Sequence, residues 1–314
     1  MLAATCVVLF AALYFAAART SIGQRIDDAA LRDRTSDRSI QLASDQILDT
    51  ISMSSLALAT SALVFIAVVR ARPRLAVCVG LFIVGANVTT QLAKSSSILI
   101  RPTLLDSLSY LGSTPSFPSG HATVAMSVAL GVLLVSTPRF RKAAGTVGVV
   151  YAILIGAATI TGGWHRPSEV VGGYLVATAW AAAIAAIVVA LRGTGRAPGL
   201  RQPWRIPAGA TSPRLMAAGA ILLVGAALLA VGIALATKPR FEAVDFGAAY
   251  VGALIGLAGS AVLLLAALLA ALKGSYLDPP RGDSGIMSSA EDGPFPSSST
   301  SAIASPASGR RATS

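Results

Sequence analysis

VVGGYLVATAWAAAIAAIVVAL, residues 170–191, carries no charged side chain and shows no alternation with a period of two. A run of this kind is too long for a buried strand and matches the roughly 20 apolar residues that an α-helix needs to cross a bilayer. Comparable runs occupy residues 2–18, 53–69, 75–93, 122–138, 143–164, 215–237 and 246–272. The chain as a whole is 54% apolar and only 12% charged, the composition of an integral membrane protein. Lipid offers no partner for backbone N–H and C=O groups, and the runs lack barrel-strand alternation, so the expected fold class is all-α: a polytopic transmembrane helix bundle of about eight spans. The first run has no basic n-region and is read as an uncleaved anchor. Cys6 and Cys78 fall inside predicted spans, where they read as small buried apolar side chains and offer no disulfide framework or metal-ligand spacing.

The net charge of +11 raises the question of a nucleic-acid partner, which the placement of the charges answers. Arg70, Arg72 and Arg74 follow one span, Arg139, Arg141 and Lys142 another, and Arg192, Arg196, Arg201, Arg205 and Arg214 a third. Counted through the spans, all three clusters fall on one side, which the positive-inside rule makes cytoplasmic, so no nucleic acid is expected. Residues 1–18 are then an N-terminal anchor, 19–52 an extracytoplasmic segment, and 192–214 a basic cytoplasmic loop. In 19–52, arginines are balanced by Asp27, Asp28, Asp33, Asp37, Asp45 and Asp49 with apolar residues interspersed. That pattern fits one or two amphipathic helices on the membrane face, or a solvated loop. Residues 215–272 add two further spans, and 273–314, rich in Ser, Pro and Gly, read as a disordered cytoplasmic tail.

Three polar stations fall on the side opposite the basic clusters. In KSSSILIRP, Lys94 and Arg101 are spaced to share a face if one helix carries both, with Asn87 and Gln91 on the same stripe and Pro102 ending it. Taken alone, two cations at a boundary more commonly snorkel to headgroups. In PSGH, residues 118–121, a proline, a capping Ser119, a Gly120 that admits close approach and His121 open an apolar helix. Unpaired N–H groups and the helix dipole make that start an anion cradle, or simply a capped helix. In TGGWHRPSEVVGG, residues 161–173, His165 precedes Glu169 by one helical turn, with Arg166 between them. A carboxylate that holds one imidazole nitrogen frees the other for nucleophilic or acid-base work. These are the only two histidines in the chain, and they lie on loops of the same face.

In these residues the sequence resembles the type 2 phosphatidic acid phosphatase (PAP2) superfamily of integral-membrane lipid phosphatases. Its first motif, lysine, six residues, Arg-Pro, is met by Lys94, Arg101 and Pro102, and its second, Pro-Ser-Gly-His, by residues 118–121. Its third, Ser-Arg, five residues, His, three residues, Asp, is met by His165, with Glu169 where aspartate is usual and Ala158 and Thr159 at the Ser-Arg positions. The family's third cation is thus absent, and Arg166 is a candidate replacement. The resemblance implies a six-helix PAP2-like core, with the catalytic region at residues 53–191, in the plasma (inner) membrane and with the site on the extracytoplasmic side.

It also implies the chemistry: a phosphatase for a membrane lipid phosphate or a polyprenyl phosphate or diphosphate, working through a phosphohistidine on His165. His121 would protonate the leaving alcohol and then activate water, and Glu169 would orient His165. Lys94, Arg101, Ser119, Gly120 and Arg166 would hold the phosphate. No cofactor or metal is called for, and the partners are the lipid phosphate and membrane lipids. A phosphotransferase using the same histidines, or a non-catalytic lipid-binding or transport protein on the same scaffold, are the alternatives. Substrate choice is expected in the loop from Thr103 to Phe117.

Overall fold

The computed structural model describes residues 1–32, 38–95, 99–104, 116–137, 139–192, 220 and 246–272. Among them there are only helices: α1 (Leu2–Ala18), α2 (Ser21–Arg32), α3 (Arg38–Asp49), α4 (Met53–Val69), α5 (Pro73–Ser95), α6 (Gly120–Val135), α7 (Arg141–Thr161), α8 (Pro167–Arg192) and α9 (Phe246–Ala271). The uncharged runs coincide with α1 and α4 to α9, because continuous apolar sequence in lipid satisfies its backbone only as helix. The run at 215–237, the basic loop 192–214 and the tail 273–314 lie almost wholly outside the described residues.

By length and composition, α5, α7, α8 and α9 can each cross a membrane unaided. α1 with α2, and α3 with α4, reach that length only as pairs bent by 84° and 56°, which raises the number to six. α6 is apolar but shorter. The chain is therefore a multi-pass membrane protein, with four to six candidate spans among the described residues; the expected count of about eight includes the run at 215–237, which lies almost wholly outside them.

The inside-out distribution of apolar side chains follows from the solvent. On α5, Val77, Leu81, Val84, Val88 and Leu92 are exposed at intervals of three or four residues and form one outward stripe, while Leu75, Val79, Phe82, Ile83 and Ala86 are buried on the other face. α6 is buried along most of its length, packed by α4, α5, α7 and α8. α8 in turn packs against α1, α5 and α9. Small residues let these backbones approach. At Gly173, an added Cβ would lie 2.7 Å from the Ser119 carbonyl oxygen and 3.0 Å from Ala122 Cβ, so glycine here sets the distance between α8 and the start of α6.

α2 inverts the usual arrangement of an amphipathic helix. Gln24, Asp27, Asp28 and Leu31, spaced to share one face, are buried, and Ile22 is exposed. The helix turns its polar side inward, toward α8 and the segment around Arg101. At the other end of the bundle, Arg70 Nη1 donates to the Val135 carbonyl oxygen at 2.9 Å. The basic residues after α4 thus sit at the C-terminal end of α6, opposite His121.

Candidate active site

α7 ends at Thr161, and the chain reverses through Gly162 and Gly163, whose φ of 78° lies in the left-handed region that glycine takes without strain. The Thr159 carbonyl oxygen then accepts the N–H groups of Trp164 and His165 at 2.9 and 3.2 Å. Pro167, at the first position of α8, needs no N–H partner and presets the helical φ. Thr159 itself is fully buried, and its hydroxyl donates back to Gly156 O at 2.7 Å. The position where the third-motif cation is missing is therefore an anchor for the turn that presents His165.

His165 Nδ1 lies 2.8 Å from Glu169 Oε2. An ionised carboxylate only accepts, so Nδ1 is the donor to it, and in the neutral imidazole the lone pair is then on Nε2. Glu169, fully buried in the first turn of α8, also accepts from Ser116 Oγ at 2.6 Å, from the Arg166 backbone N–H at 3.2 Å and from Arg166 Nη1 at 3.3 Å. The N-terminal end of α8 favours an anion there. The His121 ring stands 6.4 Å from the His165 ring between centroids, and Trp164 packs edge-on against it at 5.2 Å. Trp164 is held in turn by Asp45 of α3, which accepts from its Nε1 at 2.9 Å.

Ser119 caps α6, its Oγ accepting from the Ala122 N–H at 3.4 Å, while its own N–H donates to the Glu169 carbonyl oxygen at 2.8 Å. The cap bond uses the hydroxyl as acceptor and leaves its proton for another partner. A Cβ placed on Gly120 would lie 3.5 Å from Lys94 Nζ, so the ammonium group stands over the helix start. Lys94, the unpaired N–H groups of the first turn of α6 and the Ser119 hydroxyl converge on one place, a donor set suited to an anion.

Arg101 departs from its expected setting. α5 ends at Ser95, so the helix does not carry Lys94 and Arg101 together. Arg101 sits instead on the segment 99–104 and is only 7% exposed. Its Nη1 donates to Asp27 Oδ2 at 2.9 Å, and its buried Nη2 has no hydrogen-bond partner among the described residues, with Asp28 Oδ1 at 3.8 Å. Arg166 is 1% exposed, and its Nε donates to Asp28 Oδ1 at 2.6 Å. Burial opposes the Arg166 charge, but the hydrogen bond to Asp28 and the fields of Glu169, Asp28 and Asp27 more than offset it and hold its pKa above the ordinary guanidinium value.

His165, Glu169 and Arg166 are thus joined by direct bonds, and Ser119 is tied to them through the Glu169 carbonyl. His121 faces His165, Lys94 stands over Gly120, and Arg101 connects to Arg166 through Asp28. Sequence reasoning missed Asp27, Asp28, Ser116, Trp164 and Ser168. The signal for the aspartates was present in the polar stripe of α2, since a buried polar face at a membrane boundary must find partners. No curated protein and no solved structure matches the chain. Residues 75–192, from α5 to the end of α8, match the family model described as the PAP2 superfamily.

Proposed function

Residues 75–192 belong to the PAP2 superfamily, whose members are phosphatases, and from that premise we propose that the protein hydrolyses a membrane lipid phosphate, or a polyprenyl phosphate or diphosphate, through a phosphohistidine. The observation that carries the proposal is the pairing of His165 Nδ1 with Glu169, which leaves Nε2 free beside a second imidazole, His121.

In the first step Nε2 of His165 attacks phosphorus. The N–P bond forms as the bond to the leaving oxygen breaks, and that oxygen takes a proton from His121. In the second, water attacks phosphorus, gives a proton to His121, and the N–P bond breaks to release phosphate. Glu169 fixes the His165 ring and balances the charge it gains. Lys94, Arg101, the Ser119 hydroxyl and the Gly120 N–H hold the non-bridging oxygens, where phosphoryl transfer gains most of its stabilisation. Arg101 Nη2, without a hydrogen-bond partner among the described residues, is a donor that an oxygen of this kind would satisfy. The scheme needs no metal.

The same proposal places the site on the extracytoplasmic side of the plasma membrane. Arg70 and its neighbours lie at the opposite end of α6 from His121, and basic loops face the cytoplasm. Lys94 in the last turn of α5, above an outward apolar stripe ending at Leu92, suits a substrate with a buried tail and a phosphate at the boundary. The test is inorganic phosphate release from lipid and polyprenyl phosphates by the purified full-length chain in detergent, with His165→Ala alongside. Release by the wild type and none by the variant is expected; equal release by both would refute the proposal.

A further inference from the structure

α1 and α2 lie outside the region that matches the PAP2 superfamily, yet they hold the segment that presents Arg101 on both sides of it. Tyr14 Oη donates to Ile100 O at 2.9 Å. Gln24 Nε2 donates to Pro102 O at 2.6 Å, and its Oε1 accepts the Leu104 N–H at 3.3 Å. One turn further along α2, Asp27 binds the arginine itself and reaches a second element. Its Oδ2 takes Arg101 Nη1 at 2.9 Å and Ser168 Oγ at 2.5 Å, while its Oδ1 takes the Ser168 N–H at 3.1 Å. Ser168 directly precedes Glu169 in the first turn of α8.

We propose that Asp27 is a positioning residue of the phosphatase site, tying Arg101 to the start of α8 and so fixing the phosphate-holding cation relative to the His165–Glu169 pair. This rests on the phosphatase function proposed above. An arginine on a segment without helical structure has backbone and side-chain freedom, and a cation that must meet a phosphate oxygen within a fraction of an ångström cannot keep it. Asp27 removes that freedom with one carboxylate that binds Arg101 and two donors of Ser168. The α1–α2 pair is then part of the catalytic unit. A carboxylate beside a phosphate-binding cation also has an opposite potential effect, since it can compete with the phosphate. The two effects differ in sign on removal of the charge.

The experiment uses the full chain in detergent and measures kcat and KM for a lipid phosphate, with inorganic phosphate affinity read from its shift of thermal unfolding. Asp27→Asn keeps the shape and loses the ion pair; Gln24→Ala keeps the ion pair and loosens the backbone around Arg101. Both are expected to lower kcat/KM, with a raised KM, and to weaken inorganic phosphate binding by about tenfold or more, and Asp27→Glu to recover part of the loss. A role limited to folding would lower the amount of active protein and leave KM and phosphate affinity as they are, and that result in Asp27→Asn overturns the proposal. A gain in phosphate affinity or in kcat/KM overturns it as well, and marks Asp27 as a competitor for Arg101. Wild-type protein that binds inorganic phosphate but releases none from lipid phosphates refutes the phosphatase function alone, and the binding arm still decides the role of Asp27. Failure of the wild type to bind inorganic phosphate overturns the role of Asp27 as a setter of phosphate affinity, while phosphate release alone decides the phosphatase function.

Discussion

Asp28 Oδ1 lies 2.6 Å from Arg166 Nε, and Arg166 Nη1 lies 3.3 Å from Glu169 Oε1, so the guanidinium bridges an aspartate of α2 to the carboxylate that holds His165. Arg166, a candidate phosphate ligand on sequence grounds, braces Glu169 against α2 through these contacts. Arg166→Lys is therefore expected to behave nearly as Arg166→Ala, because an ammonium group cannot span two carboxylates with the fork that a guanidinium offers. Steady-state kinetics check this: both variants should lose kcat with a smaller change in KM, whereas a lysine variant with wild-type kcat would show that only the charge matters.

Glu169→Gln keeps the side-chain shape but removes the charge and the acceptor-only character that sets the His165 tautomer. In the Ser-His-Asp triads the equivalent aspartate-to-asparagine change costs about 10⁴ in kcat, and a loss on the order of a hundredfold or more is expected here. Phosphate release by the purified variant gives the comparison, and a loss below about tenfold would take the orienting role from Glu169.

Lys94→Met keeps the length and the apolar stem while deleting the ammonium group over Gly120. Removing one preorganised donor to a developing charge costs about 10²–10³ in rate, and kcat/KM should fall by that order. An effect confined to protein yield would make Lys94 a snorkelling boundary cation.

Two glycines separate function from stability. Gly120→Ala puts a methyl group beneath Lys94 Nζ at an ordinary contact distance of 3.5 Å, in the place assigned to phosphate oxygens, so thermal stability should hold while KM rises. Gly173→Ala puts its Cβ 2.7 Å from Ser119 O and 3.0 Å from Thr123 N, both backbone atoms. The resulting overpacking should destabilise the protein by about 1–3 kcal/mol, seen as a lower thermal midpoint.

The helices were legible because an uncharged run in lipid has one backbone solution, and α4 and α9 begin and end within a residue of the runs that announced them. Lys94, His121 and His165 were legible for a similar reason: charged and titratable groups are rare enough in such a chain to stand out against it. The end of α5 at Ser95 was not, since serines follow it and the nearest strong helix breaker is Pro102. Nor were the acidic partners. Arg101 and Asp27 are 74 residues apart, and Arg166 and Asp28 are 138 apart. Local spacing assigns side chains to a face of their own helix, but a contact of that range depends on how α2 packs on α8. Residues 105–115, most of the loop expected to select the substrate, lie outside the described residues.

The covalent intermediate tests the account most directly. His121→Ala removes the base for the second step but also the acid for the first, so the variant is mixed with an aryl phosphate whose leaving group needs no proton, quenched in alkali and digested, and should carry a phosphoryl group on the peptide containing His165. The adduct should be stable to alkali, lost in acid and absent from His165→Ala. Phosphate release by the wild type with no such adduct on His165 under these conditions, or with the adduct on another residue, would contradict it.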